Sequence, residues 1–120
     1  MESKELNELL VSKFPELKEQ YKEALEFNDG DVGSHVVYGD IFVPYIIEKL
    51  NAKEEAQLKK IFTFIDELLN SKNEYYEDVA TTTVVEDLVS DTSLDKEYLL
   101  SFATDKVKQV MQEILEYYNK

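Results

Sequence analysis

Between Leu58 and Leu69 the chain reads LKKIFTFIDELL, with Leu58, Ile61, Phe62, Ile65, Leu68 and Leu69 at helical spacing and Phe64 widening the stripe. A helix apolar around so much of its girth needs neighbours on more than one side. The segment therefore reads as the central helix of an all-α domain, with the rest of the chain covering it. At 120 residues, 43% of them apolar and none of them cysteine, the sequence supplies one core without disulfides or thiolate ligands.

The covering elements follow in order. Leu6, Leu9, Leu10 and Lys13 lie along a first short helix, after which Phe14 and Pro15 punctuate the chain. A second helix buries Leu17, Tyr21, Ala24 and Leu25 and turns Glu16, Glu19, Glu23 and Glu26 to water. The clearest loop is NDGDVGS at 28–34. A calcium loop fails there in both registers: counting from Asn28 puts Gly30, Val32 and Gly39 where carboxylates belong, and counting from Asp29 loses the glycine at position six.

In HVVYGDIFVPYIIEKL, at 35–50, Asp40 is the expected cap of a helix through Ile41, Phe42, Tyr45, Ile46 and Leu50, which starts late or kinks at Pro44. The single histidine, His35, excludes two-histidine chemistry and reads as a capping or loop-tying residue, with Asp40 as one polar partner in reach. Asn51, three residues before Glu54, begins the central helix in a capping-box pattern. In EYYEDVATTTVVEDLVSD, at 74–91, the TTTVV run favours a strand. Tyr76, Ala80, Val84 and Leu88 recur at steps of four, however, and a lone strand has nothing to pair with, so a helix is expected. Thr92 and Ser93 then cap a short helix holding Leu94, Tyr98, Leu99 and Phe102, and Val107, Val110, Met111, Ile114, Leu115 and Tyr118 stripe the last one. One all-α domain over 1–120 results, either an irregular multi-helix bundle or stacked helical hairpins of the HEAT or armadillo kind.

Charge carries the functional signal. There are 26 acidic residues against 13 basic ones, a formal net charge of -13, and every basic residue is lysine. Residues 1–31 and 66–97 hold the whole excess. Such a chain repels nucleic acid and anionic lipid and attracts cationic surfaces. Asp66 with Glu67, Glu77 with Asp78, and Glu86 with Asp87 are carboxylate doublets, but helical neighbours diverge by about 100° and do not share an ion well. A ridge from Glu74 through Asp78 to Asp87 and Asp91, with Tyr75 and Tyr76 beside it, has the composition of an interface for a basic protein; a solvated helix face has the same composition. No phosphate loop, nucleophile elbow, zinc spacing or basic stripe is present, so no enzyme, cofactor or metal is expected. The opening MESKELNELL has no signal-peptide core and no run is long enough to span a bilayer, which makes the cytoplasm the expected compartment.

Taken together, FPEL at 14–17, HVVYGDIF at 35–42, IFTFIDELL at 61–69 and VVEDL at 84–88 resemble a bacterial family of small acidic helical proteins that is itself similar to the immunity proteins of polymorphic toxin systems. The likeness spans residues 14–90 and implies a non-catalytic protein that masks a basic toxin domain, for instance a nuclease; it carries over no catalytic or ligand residue. The competing expectation is a helical adaptor that self-associates, as a homo-oligomer, or binds another protein.

Overall fold

The computed structural model describes residues 2–118, and side chains from Ser3 to Tyr117. Among them there are helices and turns and no strand. Helix α1 is Glu2–Lys13, and α2 is Lys18–Phe27, entered through a single 3₁₀ turn at Pro15–Leu17. Helix α3 runs unbroken over 34–52, α4 is Glu55–Leu69, and α5 runs over 74–90. Helix α6 is Lys96–Leu100 and α7 is Asp105–Tyr118. The arrangement is an irregular all-α bundle. The place of the Tyr118 side chain, expected on the stripe of α7, lies outside the described residues.

Helix α4 is central. All seven of its stripe residues, Phe64 included, are buried, and α3, α5 and α7 pack around it. The linker residue Phe14, fully buried, drives its ring into the same interior. It lies 5.4 Å from Phe42, 5.7 Å from Tyr45 and 5.6 Å from Phe64, in tilted or edge-on geometry. Such pairs add to the area they bury. Tyr38 completes the cluster, and its hydroxyl donates to the Leu6 carbonyl at 2.8 Å, tying α1 to α3. Burial raises its pKa well above the ordinary tyrosine value.

Several helix boundaries differ from those expected. Helix α3 starts at Ser34, not at Asp40, so Asp40 lies inside the helix and caps nothing. Pro44 lacks an N–H and its ring crowds the carbonyl four residues back. The helix accommodates this with a wide π turn over Tyr38–Phe42, where the Val43 N–H reaches the Tyr38 carbonyl five residues earlier. Asn51 does not begin α4. Buried Leu50 holds the chain in α3 to Ala52, and the corner is made by Lys53 at φ 55° with a bond from the Glu54 N–H to the Lys49 carbonyl at 3.1 Å. Asp95, rather than Thr92 or Ser93, caps α6 through the Tyr98 N–H at 3.1 Å.

The strand-prone TTTVV run is helical but not α-helical. Val79–Val85 forms π turns, and the Thr82 hydroxyl donates to the Asp78 carbonyl at 2.8 Å, which loosens the ladder there. The π turns of α3 and α5 pack against each other at Gly39, where an added Cβ would sit 3.3 Å from the Thr83 methyl. Gly39→Val is therefore expected to destabilise the protein by about 1 to 3 kcal/mol through overpacking. Gly39→Ala, which gains up to about 1 kcal/mol of helix propensity against a tight contact, should stay near neutral. Denaturant unfolding of the two variants separates these outcomes.

Candidate protein-interaction surface

The π turns of α5 decide where its acids point. Asp78 and Asp87 are nine residues apart, which in an unbroken α-helix puts them about 180° apart, on opposite sides. A π turn closes with residues five apart, so Thr83 stacks over Asp78 and Asp87 follows one α turn later. Contacts from α3 fix this row. One ring nitrogen of His35, Nε2, lies 3.3 Å from the Asp78 carboxylate; the other, Nδ1, lies 2.6 Å from the Thr83 hydroxyl. Farther along, a Cβ on Gly39 would stand 3.9 Å from the Asp87 carboxylate. The same offset applies one residue earlier, to Glu77, Thr82 and Glu86. The two doublets thus repeat along one side of α5.

Asp78 and Asp87 are exposed, as is Glu74 one turn before Asp78; Glu77 and Glu86 are half-buried. Asp40 of α3 is exposed and joins this group, which sequence reasoning missed because its place depends on where the two helices cross. The Asp87 pKa is raised from 3.8, first by partial burial and then by the negative charges of Glu86 and Asp40.

Other residues expected at the interface have structural duties. Asp66 accepts from the Thr104 hydroxyl at 2.6 Å, joining α4 to the start of α7. Glu67 pairs with Lys13 at 3.7 Å and shares a cavity with Lys59 and Lys60, so its surroundings are cationic. Asp91 accepts from both the Ser93 N–H and hydroxyl, which hold its pKa below the ordinary value. Tyr75 is half-buried, with its hydroxyl 2.6 Å from the Ser3 hydroxyl and accepting from the Ser34 N–H at 3.3 Å. Tyr76 is also half-buried and packs on the core. His35 ties two helices together through Asp78 and Thr83, rather than pairing with Asp40 or binding a loop.

The sequence Thr83, His35, Asp78 has the order of nucleophile, base and orienting acid. Catalysis would also need a concave site with donors aimed at developing charge; five cavities among the described residues are lined by other side chains. Among the described residues no three histidine or carboxylate groups are placed to hold a metal ion, and no helix is long and apolar enough to cross a membrane.

The model of the domain of unknown function DUF7674 matches residues 7–119. The chain belongs to that family. The DUF7674 match takes in the second half of α1 and all of α7, both outside the 14–90 stretch that carried the resemblance to immunity proteins. No curated protein and no solved structure matches the chain.

A raised carboxyl pKa means that the folded state holds the proton more tightly than the unfolded chain does. The cost of ionising Asp87 is absent below its ordinary value and fully present once pH exceeds the raised one. Asp87→Asn should therefore raise the melting temperature at about pH 7 and leave it unchanged at about pH 3, where both forms are neutral. Thermal unfolding at the two pH values reads the difference.

Proposed function

We propose that this protein is a non-catalytic, cytoplasmic immunity protein that neutralises a basic toxin by covering its cationic surface. The observation that carries the reading is the alignment of Glu74, Asp78 and Asp87 along one side of α5, with Asp40 of α3 beside them. A nuclease fits best as the target. Its substrate groove displays cations spaced for phosphates, and a fixed row of carboxylates competes for the same groups. The net charge of -13 steers such a partner inward and keeps nucleic acid and anionic membranes away. The resemblance of FPEL, HVVYGDIF, IFTFIDELL and VVEDL to the immunity-like family supports the same choice.

The test is to search the genes neighbouring this chain's own for a basic toxin domain, co-express any such domain with it and titrate the two at several salt concentrations. The wild type should protect the cell, with affinity falling as salt rises. Changing Asp40, Glu74, Asp78 and Asp87 together to lysine should cost about a hundredfold or more in affinity while the helical circular dichroism is retained. Unchanged affinity in a folded variant would overturn the reading. A salt-insensitive, concentration-dependent dimer would favour the self-associating adaptor.

A further inference from the structure

A second surface has the opposite chemistry. Where the end of α5 meets α6 and α7, a groove of about 440 Å³ is lined by Val89, Lys96, Leu100, Lys108, Met111, Gln112 and Leu115. Its floor, Val89 and Met111, is buried, whereas Leu100 and Leu115 stand 36% and 47% exposed on its walls. Large apolar side chains left this open are uncommon enough to need a reason when they border one concavity. Both charged liners are cationic, in a chain whose net charge is -13. The Lys96 ammonium is held in place by donating to the Asp91 carbonyl, which leaves further N–H donors free.

We infer that this groove binds a small amphiphilic carboxylate, a medium-chain fatty acid, with its aliphatic chain along Leu100, Met111 and Leu115 and its headgroup between Lys96 and Lys108. Three observations favour this occupant. The volume lies within the range of small-ligand sites, and an apolar lining with few convergent polar groups is how such sites are built. The thioether of Met111 on the floor adapts to chains of differing length. The lysines, with the Gln112 amide beside them, supply the donors that a carboxylate needs, which a neutral apolar ligand would leave unused. A docked protein helix would require a far larger apolar patch than seven residues provide. The site is distinct from the acidic side of α5, so its test is independent of the toxin-binding reading.

Decanoate, kept below its micelle concentration, is the probe, added to the 120-residue protein and followed by isothermal titration and by amide chemical shifts. Saturable one-to-one binding is expected, with shifts centred on Lys96, Leu100, Lys108, Met111 and Leu115. Decanol should bind roughly tenfold more weakly, because it forfeits the charge-assisted bonds. Lys96→Gln with Lys108→Gln should erase the difference between acid and alcohol. Leu115→Asp, at a half-exposed position, should abolish binding of both with the fold intact. No saturable binding, equal affinity for decanol and decanoate in the wild type, or protection of the groove by dimerisation in the absence of any ligand would each overturn the inference.

Discussion

The close approach of α3 and α5 at Gly39 and Thr83 sets the display of everything on the acidic side. Two helices come this near only where one lacks a side chain, and Gly39 supplies that gap. Each helix is locally wound in π turns at the contact, for different chemical reasons: a proline just downstream in α3, and a run of threonine and valine in α5. The altered winding shifts the angular position of every residue beyond it. Without it, the Glu77–Asp78 and Glu86–Asp87 doublets would face opposite ways. His35 then reads the shifted register directly, since one imidazole can touch Asp78 and Thr83 together only if residues five apart are stacked.

Behind this contact stands an aromatic interior that links distant parts of the chain. Phe14 comes from the joint between α1 and α2, Tyr38, Phe42 and Tyr45 from α3, and Phe64 from α4. At the margin of the cluster the Tyr45 hydroxyl donates to the Glu16 carboxylate, and the Gln57 amide donates to both at 2.6 and 3.0 Å. Burial is the largest single influence on Glu16 and opposes its ionisation, but the Tyr45 hydrogen bond, a backbone hydrogen bond and the charges of Lys60 and Lys49 together outweigh it, and its pKa falls below the ordinary value. Three helical segments are thus joined both by packing and by a charge-assisted bond. A row of carboxylates mounted on such a body is fixed in advance, so a partner need not order it on binding.

The sequence made the architecture legible because apolar periodicity and burial are the same physical fact. Leu58 to Leu69 announced the central helix, and steps of four from Tyr76 to Leu88 outweighed the strand preference of TTTVV. Boundaries were less legible, since caps compete with packing: Asn51 and Asp40 look like helix starts, yet buried Leu50 and Tyr38 hold the helix on either side of those signals. The candidate surface was partly legible. Composition located the acids of α5, but their grouping depends on π turns that no periodicity rule anticipates. The diversion of Asp66 to Thr104 and of Glu67 to Lys13 depends on helices far apart in sequence, as does the arrival of Asp40. Phe14 read as punctuation because a single aromatic between helices has no period to betray it.

The raised pKa of Asp87 connects these levels. Partial burial and the neighbouring charges of Glu86 and Asp40 make its ionised form costly, and no described cation answers it at the contact with Gly39. A lysine or arginine arriving from outside would meet a carboxylate already stripped of part of its hydration, and would relieve the mutual repulsion of three acids at once. Screening by salt acts on the two processes with opposite sign. It weakens the repulsion inside the folded protein and equally weakens the attraction to a partner. An ordinary solvated face, with its acids spread apart, would have neither response in strength. Their convergence across two helices, enforced by backbone winding, is what would distinguish the proposed cation-binding surface from a merely acidic one.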